Sequence, residues 1–164
     1  MKKFDSSRKI GFLSNIPSAS IDDLADTLAK RCKFNFSYFE KQDNGQAFSE
    51  WNHSQLVDLI EKLKHFGKEP LNYWRAQPVG KGGKVLSIYG KFPAKSDFIH
   101  PKHVPHQAEW GRFRLDWAAR LVGFVVPPTY SGIEHTGCGH RFDCNTFYVV
   151  FLDSNHCFYK TEAK

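Results

Sequence analysis

Residues 110–117 read WGRFRLDW, and this stretch decides the fold because polar and apolar side chains alternate along it. The polar side carries Arg112, Arg114 and Asp116, and the apolar side carries Phe113, Leu115 and Trp117. An alternation with a period of two is typical of a β-strand that buries one face and leaves the other toward solvent. Antiparallel sheets commonly have this arrangement.

Further segments on both sides of this stretch have strand character. Downstream they are residues 120–126, 146–153 and 156–160, and the two-residue loop Ser154-Asn155 joins the last two. Such a short loop favours a tight hairpin. Together with residues 85–89, these segments predict a C-terminal antiparallel meander of about four to five strands.

A helix is predicted over residues 53–66, upstream of the sheet. Asn52 or Ser54 can cap its start, and Gly67 follows its end, where a glycine commonly terminates a helix. Apolar residues recur at helical spacing and predict the buried stripe. The stripe consists of Leu56, Val57, Ile60 and Leu63, with Lys64 at its edge.

An earlier helix and a hairpin are predicted in the first fifty residues. Ser20 is a natural N-cap for a helix that runs to about Arg31, with apolar side chains at positions 21, 24 and 28. Residues 33–40 alternate in strand fashion, and Asn44-Gly45 is a strong hairpin signal. The prediction is an α+β domain over residues 1–164, with 1–50 as an extension and 51–164 as the core, and two N-terminal helices packed on the sheet.

Composition narrows the choice of partner and compartment. The chain has 164 residues, 41% of them hydrophobic, and a formal charge of +6 with a pI near 9.1. A basic balance favours an anionic partner such as nucleic acid. We find no apolar run of membrane-spanning length and no apolar segment after the first lysines, so we expect a cytoplasmic protein with reduced cysteines and no membrane association.

Cationic residues of the meander are the first candidate site. Arginine matches phosphate oxygens in bidentate fashion, and histidine or tyrosine can transfer protons, so together they can bind and cleave RNA without a metal ion. The alternative is an ordinary solvated sheet face, on which charged residues alternate by default. The candidates are Arg112, Arg114, Arg120, His156, Tyr159 and Lys160.

The order of these segments resembles the core of RelE/HigB-type bacterial toxins. The resemblance covers residues 54–66 and 110–160: a helix, an arginine-bearing strand, an apolar strand, and a final segment with histidine, tyrosine and lysine. It implies an mRNA endonuclease that works with or without the ribosome and is countered by an antitoxin protein. On matching positions it implies that Arg112, Arg114 and Arg120 hold phosphate. It also makes His156 or Tyr159 the acid or base, with assistance from Lys160.

Other clusters leave further alternatives open. Lys81 and Lys84 lie in a glycine-rich loop that lacks the spacing of a nucleotide-binding loop, so we expect contact with a nucleic-acid backbone at most. We expect no cofactor and no metal, although a zinc-stabilised domain is a second interpretation of residues 135–144. Its ligands would be His135, Cys138, His140 and Cys144. A third interpretation is a non-catalytic interaction module of a bacterial defence or regulatory system.

Overall fold

The computed structural model of the chain describes residues 7–25, 27–116 and 118–160. The described residues form three α-helices, namely α1 (Ser7–Ser14), α2 (His53–Phe66) and α3 (Leu71–Ala76). Seven strands accompany them: β1 (Lys33–Asn35), β2 (Pro78–Val79), β3 (Gly83–Lys84), β4 (Leu86–Gly90), β5 (Glu109–Arg114), β6 (Arg120–Val125) and β7 (Thr146–Asp153). None of the described helices is both long enough and apolar enough to cross a bilayer.

Five strands form one sheet in the order β1-β7-β6-β5-β4, and β2 and β3 form a separate small hairpin. Strands β4 to β7 pair antiparallel in succession, which confirms an α+β fold with a mostly antiparallel sheet. The strand predicted over 110–117 ends at Arg114, and Trp117 lies outside the described residues.

The main helix begins and ends where the sequence predicts. The Asn52 side chain accepts a hydrogen bond from the Gln55 amide at 2.9 Å, and the Gln55 side-chain oxygen accepts one from the Asn52 amide, forming a capping box. The predicted apolar stripe is wrong in its orientation, because Val57 and Ile60 are 46% and 60% exposed. The buried face carries Leu59 and Phe66 instead, since the Phe66 ring stacks on Phe113 of the sheet at 4.7 Å.

The predicted helix over residues 21–31 is wrong. Among the described residues of this stretch, only Leu28–Lys30 is helical, as a 3-10 turn, and Leu24 is fully exposed. Ser20 and Asp23 accept hydrogen bonds from amides two residues further on, which favours local turns over a helix. A helix this short needs an apolar surface to pack against, yet Ile21, Leu24 and Leu28 all remain exposed. Helix α1, which was not predicted, likewise has no buried residue.

The hairpin predicted at Asn44-Gly45 is also wrong. Residues 42–45 form a turn, but both flanking segments pair with β7 rather than with each other. Strand β1 pairs parallel with β7, and Gln46 makes an isolated antiparallel bridge to Leu152. The aromatic ring of Phe34 explains this choice, because it reaches the core rings of Phe113 at 5.3 Å and Phe147 at 6.2 Å.

Residues 156–160 do not form the predicted last strand. The buried Asp153 carboxylate accepts hydrogen bonds from three backbone amides, those of Asn155, Cys157 and Phe158, at 3.0 to 3.1 Å. An aspartate that satisfies amides in this way stabilises a compact turn and removes them from strand pairing. The chain therefore curls back, and it buries Phe158 on the sheet.

Both faces of the sheet are covered. One face packs on α2 and α3 around Phe113 and Phe147, and the other packs on the irregular connection before β5. That connection, residues 91–108, contributes buried Phe98 and Val104 to a cluster with Trp110. The part of this second face that lies beyond the Trp110 cluster carries polar residues.

Candidate nucleic-acid interface

Three arginines of neighbouring strands lie on one face of the sheet. Arg112 and Arg114 are two residues apart on β5, so their side chains leave the same face. The register pairs Arg114 with Arg120 of β6 and Arg112 with Ser87 of β4. Residues directly opposite each other project on the same side, so β4, β5 and β6 all contribute to this surface. We call it the arginine face and define it by Tyr89, Arg112, Arg114, Arg120, His156 and Tyr159.

The guanidinium groups are close enough to repel one another. Arg120 is only 4% exposed, and desolvation together with Arg112 and Arg114 lowers the pKa of Arg120 to about 10. Its Nη1 donates to the Ala119 carbonyl at 2.8 Å. Within residues 7–25, 27–116 and 118–160, no carboxylate lies at ion-pair distance from half-buried Arg112 or Arg114. The arginine face therefore carries cations that an added anion would stabilise.

A pair of stacked tyrosines borders the arginines. The rings of Tyr89 and Tyr159 lie parallel, with centroids 4.3 Å apart and an interplanar angle of 4°. The Arg112 guanidinium carbon is 5.8 Å from the centroid of the Tyr89 ring. Burial raises the pKa of Tyr89, whereas Tyr159 remains 39% exposed. An aromatic platform thus stands beside unneutralised cations.

His156 lies at the edge of the arginine face in a strained backbone conformation. Its φ is 58°, a left-handed value that costs a residue with a side chain free energy. The hydrogen bonds from the flanking amides to Asp153 hold this conformation. Desolvation, then Arg120 and Arg112, lower the pKa of His156, so the exposed imidazole is neutral at pH 7 and available as a base.

Lys160 is neutralised by a partner. Its Nζ lies 2.6 Å from the Asp97 carboxylate, and this hydrogen bond raises the pKa of Lys160. A phosphate contact by Lys160 would have to replace that ion pair, unlike contacts by Arg112 or Arg114.

The hairpin with Lys81 and Lys84 extends the cationic surface. Nη1 of Arg114 would lie 3.4 Å from a Cβ atom added at Gly83, so the hairpin packs directly on the arginine. Lys84 donates to the carbonyl of Ala76, the last residue of α3, at 3.2 Å. Lys81 is exposed at the tip of the hairpin.

The histidine- and cysteine-containing loop forms no metal centre in the part of the chain that the structure describes, where no three His, Cys, Asp or Glu side chains come together suitably. His135 and His140 are joined by a backbone hydrogen bond of 2.8 Å, and the Nδ1 atom of His135 accepts from the Gly137 amide. Cys138 is exposed, while the Cys144 thiol donates to the Pro127 carbonyl. The loop is thus organised by its own backbone.

Sequence reasoning found the arginines, His156 and Tyr159, and the structure brings them together. It did not include Tyr89 in the candidate site and gave Asp153 no role. Tyr89 lies two residues after Ser87, which pairs with Arg112 on the neighbouring strand. This spacing is the signal that would have placed Tyr89 on the arginine face. Comparison with protein-family models, with curated proteins and with solved structures found no match to this chain. The RelE/HigB resemblance therefore stays a prediction.

Proposed function

We propose that the protein binds single-stranded RNA at the arginine face. One observation carries this proposal: Arg112 and Arg114 lie half-buried beside Arg120 without a neutralising carboxylate among the described residues. The net charge of +6 also favours RNA binding, because it attracts a polyanion over a longer range.

The neighbouring tyrosines favour RNA over a small anion. Arginine forks bind phosphate oxygens, and exposed aromatic rings stack on unpaired bases. Tyr159 offers an exposed ring stacked on Tyr89, and the Arg112 guanidinium lies over Tyr89, which gives the combination of cation and aromatic platform that single strands recognise.

Replacing both arginines tests the binding proposal. We expect Arg112→Ala with Arg114→Ala to lower the affinity for a single-stranded RNA of about 12 nucleotides by about 30-fold. Two phosphate contacts are lost, so the slope of log affinity against log salt should become shallower by about 1.4. Fluorescence anisotropy at several salt concentrations measures both quantities.

A matched control separates the site from general charge. Lys91→Ala with Lys102→Ala removes two exposed cations of the 91–108 connection and should change the affinity less than about threefold. Equal losses in the two double variants would reduce the binding to non-specific electrostatics and overturn the proposal.

His156 favours a second candidate function, metal-independent cleavage of the bound RNA. Neutral His156 would take the proton of a 2′-hydroxyl, whose oxygen then attacks the adjacent phosphorus. The arginines would stabilise the charge on the phosphorane, and the Tyr159 hydroxyl would donate a proton to the departing 5′-oxygen. In this account Arg120 acts electrostatically, since it is buried. In the other interpretation, the protein is a binding module without catalysis, and the arginines serve only as contacts to the RNA.

Removing the imidazole distinguishes these two functions. We expect His156→Ala to lower the cleavage rate by at least about 100-fold in the presence of a chelator, with unchanged RNA affinity. His106→Ala, in which another exposed histidine is removed, is the control. If the unaltered protein cleaves no mRNA with or without ribosomes, and its expression does not arrest growth, the catalytic proposal fails while the binding proposal stands.

The pH dependence provides an independent check on cleavage. The pKa of His156 lies below its ordinary 6.5, so the base is still neutral where a free histidine is already protonated. The acid limb of kcat/KM should therefore fall below pH 6.5. Arg112→Gln removes one of the cations that disfavour protonation, so the limb should move to higher pH; an unmoved limb would assign it to another group.

A further inference from the structure

A second cationic depression lies along α3, around the edge of the sheet from the arginine face. Two clefts, with volumes of about 170 and 550 Å³, adjoin there and share Leu71, Asn72, Ser131 and Cys144. Leu86 and Val125 form part of the floor of the smaller cleft, and the 131–144 loop forms the far wall. We call the combined depression the α3 groove.

The α3 groove carries cations without acidic partners. Arg75 lines one end and Arg141 the other, and in the described ranges neither has a carboxylate at ion-pair distance. The acidic lining residue Asp143 is already paired, because its carboxylate lies 2.8 Å from the Lys33 ammonium. The groove is therefore suited to an anion rather than to a cation.

An aromatic ring accompanies these cations, as it does on the arginine face. Phe142 lines the larger cleft and packs edge-on against Tyr130, with centroids 5.2 Å apart. Asn72 and Ser131 add polar side chains that can hydrogen-bond a base or a sugar. Cations, one aromatic ring and neutral polar groups in an elongated depression fit a nucleotide chain better than they fit an isolated phosphate.

The β2–β3 hairpin lies between the arginine face and the end of α3. Strand β4 is the edge strand of the sheet, and the β2–β3 hairpin lies beside it. The hairpin contacts Arg114 through Gly83 and contacts the end of α3 through the Lys84–Ala76 hydrogen bond. Ala76 directly follows Arg75, which lines the smaller cleft, so the hairpin connects Arg114 with the helix that carries Arg75.

We propose that the α3 groove binds another part of the same RNA strand that the arginine face holds, with Arg75 and Arg141 on its phosphates and Phe142 under a base. This inference rests on the proposed RNA-binding function and extends it. The footprint then spans two surfaces, so RNA length becomes a determinant of affinity, since linked contacts add avidity.

Oligouridines of two lengths test the second surface. One of about 6 nucleotides covers a single binding surface, and one of about 18 nucleotides can reach both. We expect Arg75→Ala with Arg141→Ala to lower the affinity for the long RNA by about tenfold and to leave the short RNA within about twofold of the unaltered protein. Anisotropy titration measures the affinities, and Lys91→Ala with Lys102→Ala is again the control.

The outcomes separate this inference from the proposed function. If Arg75→Ala with Arg141→Ala causes no loss of affinity for the long RNA, or equal losses for both lengths, RNA binding in the α3 groove is overturned. The effect of Arg112→Ala with Arg114→Ala still decides whether the arginine face binds RNA. A lack of effect from Arg112→Ala with Arg114→Ala would instead remove the proposed function itself. Hydrogen exchange of the unaltered protein adds a measurement without mutation. Residues 71–76 and 131–145 should gain protection with the long RNA only, and an absence of protection there also overturns the inference.

Discussion

Asp153→Ala is expected to lower the free energy of unfolding by about 4 kcal/mol. The carboxylate is 1% exposed and accepts three backbone amides, so its removal leaves donors without partners next to the core. It also removes the negative charge nearest to buried Arg120. Denaturant unfolding followed by circular dichroism measures the loss, which is a large part of the stability of a typical domain.

Two companion variants make this result specific. Asp153→Asn keeps one oxygen acceptor and should lose only about 2 kcal/mol. Asp116→Ala breaks an exposed ion pair with Lys62 and should cost no more than about 1 kcal/mol. If Asp153→Ala proves as mild as Asp116→Ala, the carboxylate does not hold the 153–158 turn, and the placement of His156 needs another cause.

Gly123→Ala is expected to cost at least about 3 kcal/mol or to prevent folding altogether. A Cβ atom at this position would lie 2.0 Å from the Tyr148 carbonyl oxygen and 2.8 Å from the Phe147 ring. Both obstacles belong to β7 at the bulge where Val122 and Gly123 shift register, and a backbone carbonyl cannot rotate away as a side chain would. The two central strands would have to separate.

Gly11→Ala is the matched control, because a Cβ atom there meets nothing within 4 Å. It lies in α1, which has no buried residue, so the melting temperature should be unchanged. Thermal unfolding of both variants compares them directly. A Gly123→Ala protein as stable as the unaltered chain would show that the bulge can relax, contrary to the close packing of β6 on β7.

The sequence predicted the fold best where local signals and burial agree. Helix α2 has its cap, its terminating glycine and a sheet to pack on, so its bounds are confirmed. The segment over 21–31 has a cap and an apolar period, but its apolar side chains stay exposed, and its described residues form no α-helix. Strand β1 was predicted as a strand, but its pairing was not, since its partner β7 lies more than one hundred residues away and no local pattern encodes that pairing.

The candidate site was predictable to the extent that strand geometry fixes it. A period of two places Arg112 and Arg114 together, and the short connection to β6 brings Arg120 opposite Arg114. The loop with His156 was not predictable from pattern, because an aspartate at the end of β7 diverts the chain from pairing. The Tyr89–Tyr159 stack depends on that same diversion.

The parallel pairing of β1 with β7 has a consequence for the protein while it is being made. Residues 33–35 leave the ribosome more than one hundred residues before their hydrogen-bonding partners, residues 146–148. Such distant pairing slows folding, and the backbone of residues 33–35 stays exposed until its strand partner is made. His156 and Tyr159 are synthesised after β7, so the arginine face cannot be complete until the strand partner of β1 has also been made.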